Sequence, residues 1–124
     1  KYFADKKLDV FFITLNKSEK DFSPSTLYED YAINEKLFHW QSQSTTSVES
    51  VTGKRYINHK KENSKIVLFV RENQKDNGIT SSYTYLGLAE YKSHMGSKPI
   101  SIIWQLQEEI PSWMINKANK SIII

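Results

Sequence analysis

The sequence predicts an α+β domain that is mainly β: a curled, mostly antiparallel sheet or barrel with two or three short helices. Three observations predict it. Segments of strand length recur along the chain, turn residues separate them, and few stretches are long enough for a substantial helix. At 124 residues, with 39% hydrophobic and 13% aromatic side chains, the chain suits one domain with its own core, spanning residues 1–124.

The first half of the chain contains two predicted strands and two short helical segments. Leu8 to Leu15 is apolar and rich in branched and aromatic residues, which indicates a buried strand. Thr26 and Glu29 have the spacing of a capping box, although an extended chain suits this segment nearly as well. Residues 37–42 alternate, which places Phe38, Trp40 and Ser42 on one face of a strand. A short helix is then predicted from a cap at Ser47 to about Tyr56.

The second half predicts a hairpin, a further strand and a terminal helix. Residues 65–71 are apolar on both faces of a strand, and residues 76–78, Asp-Asn-Gly, supply a turn before the strand at 83–91. We expect these two strands to pair antiparallel. Residues 100–106 alternate as a strand, and Pro111 suits the first turn of a short helix. Such spacing favours a sheet that curls toward a barrel.

Charge is divided unevenly along the chain. Residues 21–53 carry one basic and five acidic side chains, whereas residues 54–75 carry seven basic and two acidic ones. Lys and Arg bind phosphates, and a carboxylate can accept a hydrogen bond from the amino group of cytosine. This division of charge therefore suits a protein that binds DNA and recognises a base. A solvated surface of mixed charge explains it equally well. Cysteine is absent and no apolar run reaches the roughly 18 residues of a membrane helix, so a cytoplasmic location is expected.

The most informative segment, residues 28–46, combines aromatic rings, carboxylates, amides and hydroxyls. These are the components of a pocket for a planar, hydrogen-bonding ligand such as a nucleobase. Asp30 is the preferred acceptor for an exocyclic amine, with Glu29 second, and Tyr28, Tyr31 and Trp40 are candidate walls. The predicted base pocket comprises Tyr28, Glu29, Asp30, Tyr31, Phe38 and Trp40.

Two further groups are predicted to contact DNA around that pocket. The polar run after the predicted strand can reach phosphates and base edges, and the basic residues that follow can lie along the duplex backbone. The first group is Gln41, Ser42, Gln43, Ser44 and Thr45. The second is Lys54, Arg55, His59, Lys60 and Lys61.

Competing interpretations remain open at this stage. Tyr31, Phe38 and Trp40 can each be plain core residues. Asp76, Glu90 and Lys92 could instead form a metal-dependent nuclease site, with two carboxylates on a metal and a lysine beside the attacking water. A third interpretation is a protein-interaction module whose aromatic residues form an interface.

The sequence also resembles a known family over most of its length. Residues 21–26, 28–33, 37–46 and 52–57 resemble the C-terminal domain of SauUSI-type, methylation-dependent type IV restriction enzymes. These enzymes combine a phospholipase-D-type nuclease with a superfamily 2 helicase. The resemblance implies an SRA-like or PUA-like target-recognition domain that flips 5-methylcytosine out of duplex DNA. Such a domain binds without cutting and needs no metal or cofactor. Its implied partners are duplex DNA with 5-methylcytosine, or 5-hydroxymethylcytosine, and the helicase and nuclease domains of the same chain.

Overall fold

The computed structural model of the protein describes residues 1–16 and 30–115. Strands dominate this part of the chain, together with a 3-10 helix at Ala4–Lys6, the α-helix α1 at Val51–Ile57 and a helical segment at residues 112–115. The strands are β1 (Tyr2–Phe3), β2 (Leu8–Asn16), β3 (Tyr31–Ala32), β4 (Leu37–Gln41), β5 (Lys65–Asn73), β6 (Lys75–Asp76), β7 (Ile79–Thr80), β8 (Thr84–Met95) and β9 (Ser101–Leu106). The expectation of an α+β domain that is mainly β is confirmed.

Seven of these strands form one mixed sheet in the order β1-β2-β5-β8-β9-β4-β3. The long strands β2 and β5 are parallel, and every other neighbouring pair is antiparallel. The predicted antiparallel pairing of residues 65–71 with 83–91 is therefore confirmed as β5 and β8. The parallel pair was not predicted, since nothing local in β2 specifies its partner 57 residues later.

The sheet rolls up without closing. Two bulges interrupt β8, one opposite Leu68 and Phe69 of β5 and one between Tyr91 and Ser93. Gly87, at the first bulge, has φ +93°, a conformation that favours glycine. Bulges increase the local twist and bend a strand. The ends of the sheet consequently approach each other, and β2 meets β4 through side chains with no ladder between them in the described residues.

The hydrophobic core fills the inner face of the rolled sheet. In β2 and β5 the inward positions are Phe11, Ile13, Ile66 and Leu68, alternating with outward residues as period-2 strands require. Trp104 of β9 lies at the centre. The remaining buried apolar residues are Ala32, Phe38, Val70, Leu86, Ala89, Ile100, Ile102, Leu106, Ile110 and Met114.

Helix α1 starts later than the sequence predicts. Its N-cap is Ser50, whose side-chain oxygen accepts a hydrogen bond from the Gly53 N–H at 3.0 Å. Ser47, the predicted cap, lies in the preceding turn, where its hydroxyl oxygen accepts from the Ser50 N–H. The prediction failed because both serines have a suitable side chain, and only packing selects between them.

The remaining local predictions are largely confirmed. Asn77 and Gly78, both with positive φ, form the two-residue turn between β6 and β7, as hairpin chemistry requires. Residues 112–115 are helical directly after Pro111. The capping box at Thr26 and Glu29 lies outside the described residues. Across residues 1–16 and 30–115, no helix has the length and apolarity needed to cross a membrane.

Candidate functional site

A cleft of about 420 Å³ lies at the seam of the rolled sheet, where β2 approaches β4. Helix α1 forms its third side. The cleft combines aromatic walls with polar groups. Its lining consists of Lys1, Val10, Phe11, Phe12, Trp40, Gln43, Thr46, Thr52, Arg55 and Tyr56.

Three aromatic rings form the floor of this cleft. Phe11 of β2 stacks on Trp40 of β4 with ring centroids 4.5 Å apart. Tyr56 of α1 meets both rings edge to face, at 5.2 Å from Phe11 and 5.4 Å from Trp40. Aromatic pairs in these geometries contribute beyond their buried area, so the floor is rigid. Burial raises the pKa of the Tyr56 hydroxyl, and the nearby Asp9 carboxylate raises it further. Tyr56 therefore stays protonated and can donate a hydrogen bond.

A buried ion pair supports the wall of the cleft. Arg55 donates from Nε to Oδ2 of Asp9 at 2.8 Å and from Nη2 to Oδ1 at 3.0 Å. Its guanidinium carbon also lies 3.8 Å from the centre of the Tyr2 ring. Asp9 is only 1% exposed, and a carboxylate so far from water requires such a partner. The hydrogen bonds that Arg55 donates to Asp9 raise the pKa of Arg55, so the guanidinium remains charged.

Polar side chains form the rim opposite this wall. Gln43 is exposed in the loop after β4, and Thr46 closes a turn by donating its N–H to the Gln43 carbonyl at 3.0 Å. The Thr46 carbonyl in turn accepts from the Lys98 N–H at 3.0 Å. Because the loop is held at both points, its side chains have a defined position beside the aromatic floor.

The predicted base pocket is only partly assembled. Trp40 lines the cleft, but Phe38 is fully buried in the core and offers no surface to a ligand, which corrects its assignment. Tyr31 stacks on His39 at 4.7 Å, away from the cleft lining. Asp30 is half-buried, and its Oδ1 accepts from the Gln41 N–H at 2.9 Å, so it anchors the end of β4. Tyr28 and Glu29 lie outside the described residues.

The predicted polar DNA-contacting group divides between surface and core. Gln43, Ser44 and Thr45 are exposed. Ser42 is 1% exposed, donates to the Gln43 carbonyl and accepts from the Ile100 N–H at 2.9 Å, so its assignment to DNA is corrected. Gln41 donates its amide to the Ser101 hydroxyl at 3.0 Å on the outer face of the sheet.

The predicted basic group divides in the same way. His59 is buried: its Nε2 accepts from the Tyr91 N–H at 2.9 Å, and its Nδ1 lies 3.1 Å from the Ser64 carbonyl. This geometry requires a neutral ring that donates through Nδ1, so the assignment of His59 to phosphate contact is corrected. Lys60 lies 3.6 Å from Glu90 in an exposed ion pair. Lys54 and Lys61 are exposed.

Sequence reasoning missed most of the cleft. Phe11 was assigned to a buried strand, and Tyr56 was treated as the end of a helix. One signal was available: Asp9 interrupts an otherwise apolar strand at an inward position, two residues before Phe11. A carboxylate in that position requires a cation, and Arg55 lies in the basic segment. The pairing itself depends on tertiary structure.

A second cleft, of about 330 Å³, lies on the outer face of the sheet. It is bordered by β4, β8 and β9. Of its lining residues, only Gln41 belongs to the residues predicted to contact DNA. Its lining consists of His39, Gln41, Ser93, His94, Met95, Ser101 and Ile103.

The residues of the rival nuclease site have other partners. Asp76 accepts hydrogen bonds from Asn73 and Ser81 in the β6–β7 hairpin, and Glu90 lies beside Lys60. Among the described residues, no three His, Asp or Glu side chains are grouped so that they could hold a metal ion.

Fold and site together define a rolled, open β-sheet domain with an aromatic cleft at its seam. The chain belongs to the family described as a domain of unknown function, DUF3427, whose family model matches residues 2–118. A search of curated proteins finds no match for the chain.

Proposed function

We propose that this domain binds duplex DNA, receives an extruded 5-methylcytosine in the cleft at the sheet seam, and thereby selects targets for an ATP-dependent type IV restriction enzyme. The observation that carries the proposal is the joint presence of Trp40, Tyr56 and Gln43 around one cleft. A flipped base needs flat walls and groups that hydrogen-bond its edge. The domain itself performs no cleavage in this proposal.

The size and chemistry of the cleft support a base as ligand. A volume of about 420 Å³ falls within the range of roughly 300–1,000 Å³ that small-molecule sites occupy. Gln43 offers both an acceptor and donors, so it can match the amino group and the ring nitrogen of cytosine together. Thr46 and Thr52 add hydroxyls at the rim.

The charges around the cleft support a polyanionic ligand. Arg55 and Lys1 line the cleft, and Lys54 is exposed on the same helix as Arg55. The Arg55 guanidinium uses Nε and Nη2 for Asp9, so that carboxylate balances its charge and Arg55 orders the cleft wall, while Lys1 and Lys54 supply the unbalanced positive charge. The resemblance of residues 37–46 and 52–57 to SauUSI-type enzymes falls on the same two segments that border the cleft.

A fluorescence anisotropy titration tests the proposal. The probes are matched duplexes with one central 5-methylcytosine or one cytosine, and the variant is Gln43→Ala. Gln43 is exposed and its side chain makes little contribution to the core, so the fold should persist. The wild type should prefer the methylated duplex by about tenfold, within the roughly 1–3 kcal/mol that a pocket gains from one methyl. Gln43→Ala should reduce that preference to less than about threefold.

Gln105→Ala is the matched control, since Gln105 is an exposed glutamine on β9. It should keep the wild-type preference. Equal affinity of the wild type for both duplexes would contradict the proposed recognition of 5-methylcytosine. No binding to either duplex would favour the protein-interaction module instead.

Base extrusion needs its own measurement. 2-Aminopurine placed next to the 5-methylcytosine should brighten on binding, because it loses a stacking neighbour when the base leaves the helix. Thr46→Val, which removes a rim hydroxyl at nearly constant volume, should reduce this signal. Tight methyl-selective binding without any change in fluorescence would contradict extrusion.

The salt dependence of DNA affinity tests the proposed contacts with phosphates. With Arg55 held by Asp9 and His59 buried, two to three residues of the predicted basic group of five remain for phosphates. The slope of log affinity against log salt should then lie between about −1.8 and −2.7. Lys54→Met should make it about 0.9 less steep, whereas a slope near zero would remove phosphate contacts from the proposal.

A variant of Asp30 tests the prediction that its carboxylate accepts a hydrogen bond from the cytosine amino group. Asp30→Asn keeps an oxygen for the Gln41 N–H but removes the charge. If Asp30 serves only to anchor β4, Asp30→Asn should preserve methyl preference. If it accepts from the cytosine amine, the preference should fall at least as far as in Gln43→Ala.

A further inference from the structure

A row of aromatic side chains crosses the outer face of the sheet, opposite the core. Phe12 of β2 stacks on Phe69 of β5 at 5.4 Å with an interplanar angle of 22°. Phe69 contacts Tyr85 of β8 at 5.2 Å, and Tyr83 meets Phe12 edge to face at 5.3 Å. We call Phe12, Phe69, Tyr83 and Tyr85 the outer aromatic row.

Both ends of this row are open to solvent. Phe12 is 57% exposed and Tyr85 is 58% exposed, although each is large and apolar enough to be buried. The row spans three adjacent strands, with Phe12 directly opposite Phe69 and Phe69 directly opposite Tyr85 in the ladders. A rigid sheet therefore holds the exposed rings at fixed spacing, and Phe69 supports both of them.

Cations lie on the β2 and β5 part of this face, and acids lie on the β8 part. The outward positions of β2 and β5 include the cations Lys65 and Arg71 and no carboxylate. Arg71 lies 4.3 Å from the Tyr83 ring centre and is held by Thr14 Oγ1 and the Ser81 carbonyl. On β8, the exposed Glu90 lies 3.6 Å from Lys60, and the Glu108 carboxylate lies beside Gly87 near the Tyr85 ring.

The row continues into the cleft at the seam. Phe12 both lines that cleft and forms the first ring of the row. A flexible nucleic-acid strand with one base in the cleft could therefore place its next bases on Phe12 and on the following rings of the row. Duplex DNA cannot follow this path with its bases, because paired bases are stacked inside the helix.

We propose that the outer aromatic row binds single-stranded DNA, with unpaired bases stacking on Phe12 and Tyr85 and phosphates facing Arg71 and Lys65. Stacked bases on sheet aromatics, combined with nearby cations, are how proteins hold unpaired strands without reading sequence. The continuity of the row with the cleft, and the two cations on β5, are the observations that favour a nucleic-acid strand as the ligand. The choice of DNA over RNA rests on the proposed function.

The test uses the whole chain and a fluorescein-labelled oligomer of twelve thymidines, measured by anisotropy at low salt. Phe12→Ala and Tyr85→Ala should each weaken binding about tenfold, since one stacked base contributes roughly 1–3 kcal/mol. Tyr85→Phe keeps the ring and should bind like the wild type. Ile79→Ala is the control, because Ile79 is 73% exposed but lies in the separate β6–β7 hairpin.

Several results would overturn the inference. The inference fails if Phe12→Ala and Tyr85→Ala bind the thymidine oligomer as tightly as the wild type, or if Ile79→Ala weakens binding equally. It also fails if the wild type does not bind the oligomer, or if it binds the matching uridine oligomer more tightly. Sedimentation showing a dimer that Phe12→Ala dissociates would assign the row to a second copy of the chain instead.

The inference can fail separately from the proposed function. Tyr85→Ala lies outside the cleft lining, so it should leave the preference for methylated duplex unchanged while weakening the single strand. Gln43→Ala should do the reverse. If the wild type shows no methyl preference but Tyr85→Ala still weakens binding of the thymidine oligomer, the outer aromatic row stands and the base-reading cleft does not.

Discussion

Asp9 and Arg55 are joined by two hydrogen bonds of 2.8 and 3.0 Å that connect β2 to helix α1. They are separated by 46 residues, yet this pair sets the position of the helix beside the sheet seam. Tyr2 lies against the outer side of the guanidinium at 3.8 Å, which limits the access of water to the pair. The wall of the cleft is therefore fixed before any ligand arrives.

Removal of the cation from this pair should strongly destabilise the fold. Arg55→Met leaves the Asp9 carboxylate buried without a partner, and breaking such a pair costs about 3 kcal/mol or more. Urea unfolding measures the change. Lys54→Met, one position away but exposed, should change the free energy of unfolding by less than about 0.5 kcal/mol. A similar small loss for Arg55→Met would show that the pair does not hold α1.

The single glycine of α1 should not tolerate alanine. Helix propensity alone predicts that Gly53→Ala stabilises by about 1 kcal/mol. A Cβ at Gly53, however, would lie 2.0 Å from the Ser47 carbonyl oxygen, which is backbone and cannot move independently. We expect Gly53→Ala to lower the melting temperature, corresponding to a loss of about 2 kcal/mol or more. Thr52→Ala serves as the control, and a stabilised Gly53→Ala would contradict the close approach.

The buried imidazole of His59 should contribute to stability through two backbone partners. The β5–β8 ladder ends at Ala89, so the Tyr91 N–H lies beyond it and donates to Nε2 of His59 instead. His59→Phe fills similar space but leaves this N–H and the Ser64 carbonyl unpaired. Since each unsatisfied buried group costs about 1–3 kcal/mol, we expect a loss of at least about 2 kcal/mol in urea unfolding.

His94→Phe is the comparison, because His94 is exposed and its Nδ1 lies 2.7 Å from the Tyr91 hydroxyl, away from the Tyr91 N–H. Since this hydrogen bond is exposed, its loss should cost no more than about 1 kcal/mol. Faster amide exchange at Tyr91 in His59→Phe would confirm the mechanism, and unchanged exchange would contradict it.

The β6–β7 hairpin should weaken in acid. Hydrogen bonds from Ser81 and Asn73 lower the pKa of Asp76 in the folded state. A carboxyl with a lowered folded pKa contributes stability above its ordinary pKa, and that contribution is lost as pH falls through the folded value. Amide shifts at Ile79 and Thr80 should therefore titrate below the usual carboxyl range. Ser81→Ala should move this transition upward, whereas Ser82→Ala, at an exposed neighbour, should not.

The sequence by itself determined the individual elements of this fold. The alternation at 100–106 and the apolar run at 65–71 specify strands because side chains alternate between the two faces of a sheet. The Asn77-Gly78 turn follows from the positive φ that both residues adopt easily. The basic and acidic segments, and the aromatic and polar composition of the stretch around Trp40, are equally visible in the sequence.

Only the tertiary structure decided which of those residues share a site. Phe38 and Trp40 have the same strand face and similar chemistry, yet Phe38 is fully buried while Trp40 lines the cleft, because the sheet rolls at the bulges of β8. The partnership of Asp9 with Arg55 and the row from Phe12 to Tyr85 follow from strand order and register. The pair and the row both join residues that are distant in sequence, so local sequence patterns do not predict them.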